Sequence, residues 1–313
     1  WLTAILLGTH YVIVHGVKKG IERYSKMMMP ALFLLLLLLV YCSVTLPRGS
    51  EGISFLLKPD FSKINGTVVM SAMGQAFFSL SLGMGCLCTY ASYFKKDANL
   101  PRSVFSVCSI DTLVAILAGF IIFPAMFHVG YSLKPEDIGP SLIFITLPNV
   151  FHDAFANAPW LAYLFSMMFY LLVVLAALTS TISIHEVVTV YFHEEFGMSR
   201  KRAAWTVTLC CIAIGTLCSL SFGVLNHLKL FDMTIFELFD YIASNILLPV
   251  GGLFISLFTG WDLDKQLLRI ELTNEGTIRF RLYHIYIFLL KFIVPVAIAG
   301  IILNQFGVFN FGI

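Results

Sequence analysis

Eight stretches of this chain are apolar enough to lie in the hydrocarbon of a bilayer, and no other feature restricts its fold as much. A membrane-spanning helix needs roughly 20 mostly apolar residues. Segments that meet or approach this length fall at about 1–16, 27–46, 68–93, 104–128, 160–192, 203–223, 234–260 and 282–305, and ALFLLLLLLVYC (31–42) is the plainest of them. Hydrocarbon offers backbone amides no partner, so such segments must be helices that bond within themselves. Charged residues make up 12% of the 313 positions, against about 25% in a soluble domain. An all-α membrane protein follows, with no basic tract of the kind that binds nucleic acid. The seven cysteines lie mostly inside apolar segments without zinc or disulfide spacing, and read as small hydrophobes. The chain opens at Trp1, inside an apolar segment without a secretory signal pattern. We therefore expect the later part of a longer protein, forming a single transmembrane domain over 1–313.

The connectors carry an orientation signal. Alternate ones hold 14 lysines and arginines on one side and 5 on the other. The positive-inside rule then makes 17–26, 94–102, 193–202 and 261–281 cytoplasmic, and 47–67 and 130–159 outer loops. With a cytoplasmic N-terminus, an odd number of helices would precede Trp1. The long loop 130–159 predicts short amphipathic helices over a cavity, and NGT (65–67) in the polar loop 47–67 fits a glycosylation sequon.

Ionisable groups at membrane depth are costly and mark candidate sites. They are Asp111, His185, Glu186, Glu237, Asp240 and Lys291. Lys291 could snorkel and Glu237 could face headgroups. HEVVT (185–189) lacks the second histidine of a zinc-protease helix, and neither a nucleophile–base pair nor a phosphate loop points to an enzyme. FFSLSLGMGCLCTY (77–90) places Ser79, Ser81, Gly83 and Gly85 in mid-span. Glycine makes a helix easy to unwind, and freed backbone groups are tolerated in a membrane only where they line a cavity or an ion. LAALTSTISI (175–184) adds Thr179, Ser180, Thr181 and Ser183. Hydroxyls, carbonyls and one carboxylate suit a hard cation such as Na⁺, and broken helices with ions at mid-depth typify secondary transporters.

QAFFSLSLGMGCLCTYASYFKKD (75–97) closely resembles the sixth helix of the neurotransmitter:sodium symporter family. The resemblance extends through GVKKGIERYSKMMMPALF (16–33), FITLP (144–148), LAALTSTISI (175–184), FHEEFGMSRKRA (192–203) and FDYIASNILLP (239–249). It implies the LeuT-like inverted-repeat transporter fold, incomplete here, with the eight segments standing as helices four to eleven. It implies a multi-pass protein of the cell membrane whose partners are the bilayer, an amino-acid substrate and the N-terminal helices lacking from this chain.

Residue by residue, the resemblance makes Phe78, Ser79, Ser81, Met84, Ser180, Thr181 and Ile184 substrate-facing. It gives sodium, the co-transported ion, to Ser79, Asp111, Ala176, Thr179 and Ser180. It makes Asp240 and Phe144 parts of an outer gate, and Glu194 and Tyr93 parts of an inner one, with the arginine partners outside this chain. Met84 stands at a position usually aromatic, and Ala115 where chloride-dependent relatives have serine. The implied activity is chloride-independent, sodium-coupled symport of a neutral, hydrophobic or aromatic amino acid. A proton-coupled carrier with Asp111 or Glu186 titrating, and a ligand sensor or channel on the same scaffold, are the alternatives.

Overall fold

The computed structural model describes residues 1–16, 21–94, 98–131, 142–156, 158–277 and 282–305; parts of the connectors at 17–26, 94–102, 130–159 and 261–281 lie outside them. Helix occupies each of the eight apolar segments. They are α1 (Leu2–Val14), α2 (Glu22–Val44), the pair α4 (Gly66–Ser79) and α5 (Cys86–Ser92), α6 (Leu100–Val129), α8 (Pro159–Glu195), α9 (Arg200–Leu220), α10 (Ile235–Tyr241) continued by α11 (Leu248–Leu257), and α13 (Tyr283–Phe288) continued by α14 (Val294–Gln305). π-Helical turns at Ile242–Leu247 and Leu289–Ile293 join the last two pairs. Six of these stretches are long and apolar enough to cross a membrane. α3 (Gly49–Leu57), α7 (Leu147–Ala154) and α12 (Lys265–Thr273) lie between spans.

Several helices overrun their apolar segments. α8 continues to Glu195 and α9 starts at Arg200, so much of 193–202 is helical rather than loop. Charged residues end a hydropathy run without ending a helix, because Glu, Lys and Arg are good helix formers. The connector 47–67, expected to be an outer loop, contains ordered helix. It folds α3, with Gly49 and Gly52 buried, and Asn65 caps α4 by accepting from the Val68 amide at 2.8 Å. That cap is the role the structure gives the asparagine of NGT. Glu237 also has a local role, in a reciprocal capping box with Thr234 at the start of α10.

The chain divides into two compact units, one of residues 11–60 and 110–182, the other of 1–10, 61–109 and 183–313. In the first, α7 supplies Leu147, Val150, Phe151 and Ala154 to a core shared with Leu36 and Leu39 of α2, Ile121 and Ala125 of α6, and Phe165 and Phe169 of α8. Those four residues of α7 follow the i, i+3, i+4, i+7 pattern of an amphipathic helix. Phe151 is fully buried and meets Phe165 and Phe169 edge-on at 4.8 and 5.0 Å. α7 is thus a short amphipathic helix within the connector 130–159, and its apolar side forms a wall of this core. The buried Ser43 hydroxyl donates to the Ile121 carbonyl at 2.6 Å, fastening α2 to α6.

In the second unit a buried polar chain links α1, α8 and α9. His10 Nδ1 and His185 Nε2 both lie within hydrogen-bonding distance of Thr208 Oγ1, at 3.0 and 2.9 Å. The single Thr208 proton goes to the Ala204 carbonyl at 2.7 Å, so both imidazoles must donate to its oxygen. His185 Nδ1 then accepts from Thr189 Oγ1 at 3.0 Å. His185 thus belongs to a satisfied helix-to-helix contact, and no cluster of three metal-ligating side chains occurs among the described residues.

Candidate functional site

The span that carries FFSLSLGMGCLCTY is broken where its glycines lie. α4 ends at Ser79, residues 80–85 form a turn, and α5 starts at Cys86. Ser81, Gly83 and Gly85 take φ of 52, 89 and 78°, in the left-handed region. That region costs most residues roughly 1–2 kcal/mol but suits glycine.

The turn docks on α11. A side chain at Gly83 would run into the Leu248 carbonyl and come within 2.8 Å of the Gly252 nitrogen, and one at Gly251 would come within 2.6 Å of the Gly83 carbonyl. Backbone therefore meets backbone, an approach only small residues allow. Gly251 and Gly252 were not singled out from sequence; the adjacent glycines in LPVGG were their signal.

Beside this contact lies an apolar cavity of about 350 Å³. Met84 and Cys86 line it from the broken span, Ile184, Val187 and Val188 from α8, and Leu247 and Leu248 from the junction of α10 and α11. Met84 and Ile184, both expected to face substrate, thus share one cavity. α5 is fixed along α8 by two phenols one turn apart: Tyr90 donates to Ser183 Oγ at 2.7 Å, and Tyr93 to Glu186 Oε1 at 2.8 Å. Glu186 has no exposed side-chain surface and also accepts from Arg200, the first residue of α9. Arg200 was not singled out from sequence, although a carboxylate at membrane depth calls for a counter-charge and MSRKR follows it closely.

The other expected residues have these places. In the same unit, Phe78 and Ser79 close α4 and are exposed, Glu194 is exposed in the last turn of α8, and Asp240 accepts from Ser244 Oγ at 3.3 Å beside the π-helical turn. In the unit of residues 11–60 and 110–182, Asp111 is half-buried on α6, and Phe144 stacks on Tyr170 with ring centroids 6.3 Å apart. Thr179 and Thr181 donate back to the carbonyls of Ala176 and Ala177 at 2.8 and 2.7 Å. A hydroxyl that gives its proton to its own helix still turns lone pairs outward, and Ser180 beside them is exposed.

A sequence profile described as the Sodium:neurotransmitter symporter family matches residues 1–311. The chain belongs to this family. Among symporter-family relatives, it is 40% identical over 304 residues to the "Uncharacterized sodium-dependent transporter YhdH" of Bacillus subtilis, covering 97% of this chain and 65% of that protein. An uncharacterized sodium-dependent transporter of Haemophilus influenzae is 34% identical, over 97% of this chain and 64% of its own length. The "Sodium-dependent nutrient amino acid transporter 1" of Drosophila melanogaster is 30% identical over 65% of this chain and 32% of its own. A solved structure, MhsT in complex with L-phenylalanine, superposes with a TM-score of 0.81 at 39% identity, over 96% of this chain and 66% of that one. The symporter-family chain thus spans slightly under two thirds of the bacterial relatives it matches. Both the family resemblance and the LeuT-like fold expected from the sequence are borne out.

Proposed function

We propose that this chain serves sodium-coupled symport of a neutral, hydrophobic or aromatic amino acid across the cell membrane, by alternating access and without chloride. One observation carries the reading: the span broken at Leu80–Gly85 opens beside an apolar cavity lined by Met84 and Ile184. The cavity's volume lies in the range of small-molecule sites, and its lining favours an apolar side chain. Family membership and relatives named as sodium-dependent transporters support sodium as the driving ion. The relative solved with L-phenylalanine supports the substrate class.

In this reading Phe78, Ser79, Ser81, Met84, Ser180, Thr181 and Ile184 face the substrate. Ser79, Asp111, Ala176, Thr179 and Ser180 hold sodium as cargo, Asp240 and Phe144 gate the outside, and Glu194 and Tyr93 gate the inside. Bound sodium raises substrate affinity, and substrate raises sodium affinity by the same factor. Asp111 supplies the fixed negative charge that makes chloride dispensable. Glu186 is committed to Arg200 and to the Tyr93 hydroxyl, which weighs against its part in the proton-coupled alternative.

The test is uptake of radiolabelled phenylalanine and leucine into proteoliposomes that carry the full-length protein. An inward sodium gradient should drive accumulation, and replacing chloride with gluconate should leave the rate unchanged. Accumulation driven equally well by a proton gradient without sodium would reject the proposal.

A further inference from the structure

A second cavity, of about 370 Å³, lies where α12 meets the start of α13, and symport as proposed makes no use of it. Lys265, Gln266, Arg269, Tyr283, His284 and Ile287 line it: a lysine, an arginine, a histidine, an amide, a phenol and one aliphatic side chain. No carboxylate is among them. Lys265 and Arg269 are four residues apart, so both cations lie on one face of α12, a like-charge spacing that works against the helix. The Lys291 ammonium also lies beside Lys265. The carboxylate nearest in sequence, Asp264, is committed to the helix end, where it accepts from the Gln266 amide at 2.9 Å.

Tyr283 holds this arrangement in place. Its hydroxyl donates to the Lys265 carbonyl at 3.0 Å, and its ring lies under the Arg269 guanidinium at 6.0 Å and edge-on to His284 at 5.7 Å. The cations are thus gathered around a concavity that calls for a compact anion.

The surroundings indicate where that anion comes from. Trp261 donates from its indole to the Lys291 carbonyl at 3.2 Å and receives the Lys291 ammonium 5.0 Å from its ring. Trp and Tyr collect at the membrane–water boundary. On α12, Leu268 is buried while Leu267 and Ile270 are half exposed. A short helix with basic and apolar sides is the pattern of one lying in the headgroup layer.

We propose that α12, with Tyr283 and His284, forms a binding site for the phosphate of an anionic phospholipid. Lys265 and Arg269 donate to the phosphate oxygens, Gln266 and His284 complete the polar wall, and Leu267 and Ile270 rest on the upper acyl chains.

The protein is reconstituted in nanodiscs of phosphatidylcholine with or without phosphatidylglycerol, and lipid retained after detergent exchange is measured by native mass spectrometry. Phosphatidylglycerol should be retained over phosphatidylcholine, and Lys265→Ala with Arg269→Ala should weaken retention about thirty-fold, or about fivefold per cation. Lys265→Arg, and Lys58→Ala in the 47–67 connector, should retain it. If the double variant does not fold in pure phosphatidylcholine, Arg269→Gln alone is read, with about a fivefold loss expected. Equal retention of the two lipids by the wild type, undiminished retention by the double or single variant, or displacement of phosphatidylglycerol by inorganic phosphate would each overturn the assignment.

Discussion

Arg200 places one guanidinium nitrogen 2.8 and 2.7 Å from the two carboxylate oxygens of Glu186, a residue with no exposed side-chain surface. Tyr93 donates to the same carboxylate at 2.8 Å. A charge withdrawn from water this completely persists only when it is paired and hydrogen-bonded. The contact joins α5, α8 and the first residue of α9.

Removing one member of this pair should therefore cost more than removing both. Arg200→Met leaves a buried carboxylate without its counter-charge and should destabilise the protein by about 3–5 kcal/mol. The double variant Arg200→Met with Glu186→Gln should recover most of that loss. Thermal unfolding of the single and double variants in detergent gives the coupling, and additive losses would refute a functional pair.

The broken span gives a sharper contrast. Gly83→Ala faces both a left-handed φ and the backbone of α11, whereas a side chain at Gly85 would meet only Val187 Cγ1, at 3.5 Å. Gly83→Ala should abolish folded yield or uptake, and Gly85→Ala should cost only the backbone term, roughly 1–2 kcal/mol. Size-exclusion profiles of the two variants, followed by uptake, separate them. Equal behaviour would mean that the contact with α11 is dispensable.

Thr208 accepts from two buried imidazoles, so the isosteric Thr208→Val strands both. Each unsatisfied donor should cost about 1–3 kcal/mol. Thr208→Ser keeps the hydroxyl and should lose far less. The melting temperatures decide it, with a neutral Thr208→Val as the contrary result.

In the full-length protein, Asp111→Ala should eliminate sodium-driven uptake while the protein still folds, since the side chain is only half-buried on α6. Asp111→Asn should keep part of the uptake and make it respond to chloride, because the fixed charge is gone while the amide oxygen can still serve as a ligand. Normal sodium-dependent uptake by Asp111→Ala would remove this residue from the ion site.

Much of the architecture was legible because its causes are local. Hydrocarbon forces a helix wherever about twenty apolar residues run together, and helix was found in all eight such segments. The break in 68–93 was legible for the same kind of reason, since Ser81, Gly83 and Gly85 occupy the left-handed conformations that glycine makes accessible. The connectors were less legible. Loss of hydropathy at 193–202 said nothing about helix, and α3 and α7 owe their order to packing at Gly52 and Phe151.

By itself the sequence determined the spans, the position of the interruption and the family, since each depends on residues adjacent in the chain. Only the tertiary structure decided that Gly83 rests in the Gly251–Gly252 notch, that Arg200 answers Glu186, and that Thr208 joins His10 to His185 across 198 and 23 positions. A helix apolar on every side carries no periodic mark of which face meets which neighbour. Those partnerships exist only once the helices lie side by side.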